Sequence, residues 1–241
     1  MKATALPPAV LAAAATLCGL LAIASAPWAL ALPALNFIFK PLATLAIIAF
    51  ALQRGADQPL PRRWVLTGLF CSLAGDVALL WPQAGFLPGL VSFLLAHLAY
   101  LVAYLTAFTR VRALASHWLP YAVYALVAGG VLWQLWPGVP SALRVPVLLY
   151  VVCLAGMAAQ AAVLWRSGAP RGAVLALGGA LFVASDALLA SNRFASPLPM
   201  ASLWILLPYW LAQWCIAAWL APPALGSRPG GPFNVRPGQR P

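Results

Sequence analysis

Residues 33–52 read PALNFIFKPLATLAIIAFAL, a run in which one side chain, Lys40, is charged. At 1.5 Å per residue such a run makes a helix of about 30 Å, the hydrocarbon thickness of a bilayer. A charge at that depth costs roughly 2.5–3.5 kcal/mol, so a lysine kept there points to a bundle interior and a partner. Working outward, runs of the same kind occupy residues 8–26, 64–81, 87–109, 118–136, 143–165, 172–191 and 199–220, with Pro, Gly and Arg between them. The whole chain is 64% hydrophobic and 7% charged, against about 25% charged residues in soluble domains. The expected fold is an all-α membrane protein, a bundle of about eight transmembrane helices filling residues 1–220. Ala-Ser-Ala at 24–26 also resembles a signal cleavage site. The short link to the next run makes a retained first helix the simpler reading.

The formal net charge is +11, with Asp57, Asp76 and Asp186 the only acids. The basic residues fall between apolar runs rather than along one face, which argues against a nucleic-acid partner. With the N-terminus inside, the cytoplasmic set is Lys2, Arg54, Arg62, Arg63, Arg110, Arg112, Arg166, Arg171, Arg228, Arg236 and Arg240; the other side has Arg144 and Arg193. That asymmetry predicts that both termini are cytoplasmic, and the expected location of this multi-pass protein is the bacterial inner membrane. Residues 221–241, rich in Pro, Gly and Arg, are expected to form a disordered cytoplasmic tail. Gly75-Asp76-Val77-Ala78-Leu79 is echoed 110 residues later by Ser185-Asp186-Ala187-Leu188-Leu189. The echo fits either two four-helix repeats or a chance likeness of apolar helices.

Several chemistries fit poorly. The four cysteines lie in separate apolar runs, and the two histidines, His97 and His117, lie in different segments. Neither a disulfide framework nor a metal site is expected, and a three-histidine hydrolase is excluded. No serine sits in a G-x-S-x-G elbow. Gly178-Gly179 lies inside an apolar run, where small residues signal close helix packing rather than a phosphate loop. No cofactor is expected.

Lys40, Asp76 and Asp186 lie roughly 8–11 Å inside the same non-cytoplasmic boundary, so they can share one layer. An interhelical salt bridge alone would also use them. Asn36, Lys40 and Thr44 recur every four residues, and Pro41 removes a backbone donor and predicts a kink. His97, Tyr100 and Tyr104 share a face, as do Tyr209 and Gln213. Together they describe a polar pocket in which one retained proton on an aspartate makes the charge neutral beside Lys40. Arg193 is placed at the interface to meet a phosphate head group or to snorkel without one.

Phe39-Lys40-Pro41-Leu42, Leu73-Ala74-Gly75-Asp76, Phe93 through Tyr100, Gly179 through Asp186, Asn192-Arg193-Phe194 and Tyr209 through Gln213 together resemble the YhhN family, which includes the mammalian lysoplasmalogenases. The resemblance covers runs two to eight. It implies eight helices and hydrolysis of the vinyl ether bond of a lysoplasmalogen, a lysophospholipid met in the membrane, to a fatty aldehyde and a glycerophospho-ethanolamine or -choline. The expected catalytic residues are Asp76 and Asp186, tuned by Lys40. The expected substrate-binding residues are His97, Tyr100, Asn36, Arg193, Tyr209 and Gln213. The alternative is a non-enzymatic protein that binds or transports a lipid or other amphiphile through the same pocket.

Overall fold

Proline opens the first three helices. Its missing N–H is no loss in a first turn, and its fixed φ suits one. Pro8, Pro33 and Pro59 are the first residues of α1 (Pro8–Ala24), α2 (Pro33–Leu52) and α3 (Pro59–Ala78). In the computed structural model, which describes residues 6–107 and 118–222, there follow α4 (Phe86–Ala107), α5 (Trp118–Leu135), α6 (Arg144–Arg166), α7 (Gly172–Phe194) and α8 (Ala201–Trp219). Two 3₁₀ turns, Trp136–Gly138 and Ser141–Leu143, link α5 to α6.

The eight helices match the eight expected runs, with three differences that matter. Helix α3 begins at Pro59 and takes Arg62 and Arg63 into its first turns, then stops at Ala78, before Trp81. Its apolar part from Trp64 is about 22 Å long at 1.5 Å per residue. Among the described residues six segments suffice by length and composition to cross a membrane; α3 and the 17-residue α1 are not among them. Both still pack into the bundle, α1 on α2 and α8, and α3 on α4, α2 and α8. Third, α7 runs on to Phe194, so Asn192 and Arg193 are helical rather than in a loop. Helix α2 continues through Pro41, and α8 likewise through Pro208. The expected tail falls outside the described residues from position 223 on; its first residue, Ala221, accepts a hydrogen bond from the Gly55 N–H at 2.8 Å.

Large apolar side chains face outward as well as into the core, and a few polar ones are buried with it. Trp133 is 85% and Leu126 79% exposed, whereas Thr44, Ser72, His97, Gln160 and Gln213 are fully buried. Apolar side chains facing outward suit a lipid surroundings, and polar ones gather where they find each other. The closest packing joins α3 to α4 and α7 to α8. At Gly75 an added Cβ would stand 2.6 Å from the Phe93 ring, and at Gly68 it would land on Tyr100. Glycine is needed at both for this approach.

The packing follows the four-helix echo. Helix α1 packs on α2 as α5 does on α6; α2 meets α3 as α6 meets α7; and across the middle α2 packs on α8 while α6 packs on α4. Adding four to each helix number exchanges these contacts, although the packing of α1 on α8 has no α5–α4 counterpart among the described residues. This favours two repeats over chance likeness.

At one end, the α2–α3 and α6–α7 links meet the end of α8. Arg54 donates to the Leu220 and Ala218 carbonyls at 3.0 and 3.1 Å, and Arg171 donates to the same Leu220 oxygen at 2.9 Å. These guanidiniums satisfy carbonyls that the helix terminus leaves without partners.

Candidate active site

Asp76 lies in the last turn of α3 with its side chain 1% exposed. Its Oδ1 faces the Lys40 Nζ of α2 at 3.7 Å. Its Oδ2 accepts the Thr44 hydroxyl at 2.6 Å and the Tyr209 hydroxyl at 2.7 Å. Trp210 Nε1 donates to Thr44 Oγ1 at 3.3 Å, which leaves the threonine proton for Asp76. Every partner of this carboxylate donates, an arrangement that suits its ionised form. Pro41 follows Lys40 directly and α2 stays helical through it, so the Asn36–Lys40–Thr44 stripe keeps its register, with Lys40 and Thr44 one turn apart on the same aspartate.

Asp186 on α7 has a different surrounding. Its Oδ2 accepts the Tyr150 hydroxyl of α6 at 2.6 Å and lies 3.3 Å from His97 Nε2 of α4. The His97 Nε2 is also 3.0 Å from the Tyr150 oxygen, while its buried Nδ1 has no partner. Burying an unpaired N–H donor costs more than burying an unpaired acceptor site. The proton therefore belongs on Nε2, where it points at Tyr150 and Asp186. Asp186 is 11% exposed, and among the described residues no donor reaches its Oδ1.

The two aspartates occupy equivalent places. Asp76 takes partners from α2 and α8, and Asp186 takes them from α6 and α4. Tyr150 stands 110 residues after Lys40, the separation of the aspartates themselves. The position that carries a cation in the first half thus carries a hydroxyl in the second. Phe182 ties the two networks together, with its ring 4.6 Å from His97 and 5.6 Å from Tyr209.

Lys40, Asp76, Asp186, Arg193 and Tyr209 line one cavity of about 390 Å³. Pro82, Asn192 and Ser202 place its opening at the end of the bundle opposite Arg54 and Arg171. Arg193 is held at the opening by the Phe86 ring, 4.8 Å from its guanidinium carbon. Among the described residues no carboxylate pairs with it, so its donors are free for an anion.

The other expected residues do not line the cavity. His97 stands behind Asp186. Tyr100 and Gln213 form a layer beneath, joined by a hydrogen bond of 2.6 Å from the tyrosine hydroxyl, with Ser72 at 3.4 Å from that hydroxyl. Asn36 is half-buried and its Oδ1 has no partner. Sequence reasoning missed Tyr150, Trp210 and Phe182. Tyr150 left a faint signal, a hydroxyl at the Lys40-equivalent position of a repeat. Phe182 and Trp210 lie inside stretches that carry the family resemblance, which marked the stretches and not these side chains. Among the described residues no three of His, Cys, Asp and Glu converge as metal ligands would.

The arrangement offers two carboxylates facing one space, one with donors on all sides and one with a free oxygen, beneath a cation at the opening. It can protonate a substrate, stabilise positive charge and bind an anionic head group.

Known proteins point the same way. The Sus scrofa lysoplasmalogenase TMEM86B is 39% identical over 181 residues, 73% of this chain and 71% of the relative. The Homo sapiens lysoplasmalogenase TMEM86B is 37% identical over 145 residues, covering 60% of this chain and 58% of the relative. A Mycobacterium tuberculosis lysoplasmalogenase is 28% identical over 160 residues, 63% of this chain and 58% of that protein. No solved structure matches the chain. The YhhN family model matches residues 35–220, which takes in α2 to α8 and every side chain lining the cavity, and the chain accordingly belongs to the YhhN family.

Proposed function

We propose that this chain is a membrane-embedded hydrolase that cleaves the vinyl ether bond of lysoplasmalogens by acid–base catalysis between Asp76 and Asp186. The reading is carried by one observation: two intramembrane carboxylates, each held by hydroxyl donors, face one cavity in a chain whose relatives are named lysoplasmalogenases.

The chemistry suits such a pair. A protonated carboxyl gives its proton to the β carbon of the vinyl ether, and the alkene π pair forms the new C–H bond. Positive charge then spreads over the α carbon and the ether oxygen, where an ionised carboxylate opposite stabilises it. Water adds to the α carbon and returns a proton to the carboxylate that delivered one. The resulting hemiacetal loses its hydroxyl proton as the C–O bond breaks, and the departing glycerol oxygen takes that proton. The products are a fatty aldehyde and a glycerophospho-alcohol. Lys40 stands against Asp76 and holds it in place. Arg193, at the opening and without a carboxylate partner, binds the phosphate. With Lys40 charged, the pocket is neutral when the two aspartates share one proton. The opening lies on the non-cytoplasmic side, with both chain ends cytoplasmic.

The test is incubation of the purified protein with a vinyl-ether lysolipid, its alkyl-ether analogue and its acyl analogue. Aldehyde from the first alone is expected, with deuterium beside the carbonyl when the reaction runs in heavy water and workup is quick. Fatty acid released from the acyl analogue at a comparable rate would sink this mechanism. Binding of all three without cleavage would favour the transport alternative.

A further inference from the structure

Consecutive helices in this bundle pack along each other with one exception: among the described residues α5 lies against α6 and touches α7, but does not pack on α4. Only Pro120 and Leu135 of α5 are buried. Between α4 on one side and α5 on the other runs a cleft floored by α6 and α7, lined by apolar side chains such as Leu90, Ala128, Val131, Val151 and Ala155. Along α5 its lining extends from Tyr124 to Leu135, about 17 Å of helix, which is the length of a long fatty chain.

Among the described residues one charged side chain lines this cleft, and it is Asp186. The cleft and the polar cavity share Leu79, Phe86, Phe93, Asp186 and Leu189, so the two spaces meet over this aspartate. Asp76 lines only the polar cavity. Tyr150, whose hydroxyl donates to Asp186 Oδ2, forms part of the cleft wall.

We infer that the cleft between α4 and α5 takes the hydrocarbon chain of the substrate, admitted sideways from the lipid, and that the bond joining chain to head group is held beside Asp186. The inference rests on the reading given under Proposed function and extends it. A lysolipid has one apolar chain and one polar head, and the two connected spaces match that division. The head group occupies the polar cavity under Arg193, and the chain lies along α5. The reacting carbons stand at the junction, where the only carboxylate within reach is Asp186, so it touches substrate and delivers the proton to the β carbon. Asp76 acts from the far wall of the polar cavity, opposite the charge that develops. Access between α4 and α5 also lets a lipid reach the site without leaving the membrane.

Two substitutions that fill the cleft test this, Ala155→Trp on α6 and Ala128→Phe on α5. Each is compared with wild type on vinyl-ether lysolipids of short and long chain, used below their micelle concentrations. The ratio of kcat/KM for the long chain to that for the short one is expected to fall at least about tenfold, the lower range for a hydrophobic pocket that no longer admits its group. Leu126→Trp, on the lipid-facing side of α5, is expected to keep the wild-type ratio. An unchanged ratio in a folded cleft variant overturns the inference.

A second measurement needs no variant and no turnover. An uncleavable alkyl-ether lysolipid carrying a photoreactive group near its chain end is expected to label wild-type peptides from α5 or the facing part of α6. Labelling confined to other helices overturns the inference. Correct labelling in a protein that releases no aldehyde keeps the chain site and removes the hydrolase reading.

Discussion

At the scale of single residues, the two aspartates differ in what surrounds them, and their variants should fail differently. Asp186 has Tyr150 and His97 as partners, and asparagine can still accept from the tyrosine. Asp186→Asn is expected to lower turnover at least about a hundredfold, the lower range for losing an acid–base group, with little change in melting temperature in detergent. Near-normal turnover would remove Asp186 from the mechanism. Asp76→Asn is expected to lose turnover as well, but also stability, because Lys40 is left as a buried unpaired cation; breaking such a pair costs about 3–5 kcal/mol. Adding Lys40→Met to Asp76→Asn should recover most of the melting temperature and none of the turnover. A double variant no more stable than Asp76→Asn would show that the pair is not the source of the loss. The intramembrane charges were legible in the sequence because a lone Asp or Lys in an apolar run has few explanations. Their neutral partners were not. A tyrosine or threonine in a helix costs little by itself, and only the fold shows which of them turns toward a carboxylate.

At the scale of helices, the number and order were legible from twenty-residue apolar periodicity. The ends were less so, and α3 shows why: Pro59 and Pro61 look like a linker in the sequence, yet a proline in a first turn starts a helix rather than preventing one. The same helix carries the tightest interhelical approach described above. Gly75→Val should push Phe93 out of the wall it shares between the cavity and the cleft, with a cost of about 1–3 kcal/mol from overpacking and a drop in turnover that exceeds the loss of folded protein. Gly156, which has open space around it, is the control, and Gly156→Ala should leave the melting temperature unchanged. Equal effects of the two substitutions would count against close α3–α4 packing as a support of the site.

At the scale of the whole molecule, the Arg54 and Arg171 links and the end of α8 lie together at one end, and the cavity opens at the other. Reporter fusions after Arg54, Arg171 and the last residue should therefore agree with one another. The distribution of basic residues further predicts that they report the cytoplasm, while fusions near Gly85 report the opposite side. An external C-terminal reporter would reverse the orientation and move the opening to the other leaflet.

The exchange of partners across the middle of the bundle has a consequence for how the protein can be assembled. Asp76 in the first four helices depends on Tyr209 from the last four, and Asp186 in the last four depends on His97 from the first. Each half thus holds a carboxylate that only the other half completes. Two separately translated fragments, one ending near residue 110 and the other beginning near residue 113, should complement each other when made in the same cell. Either fragment alone should give an inert membrane polypeptide, and restored turnover should follow the amount of the scarcer fragment.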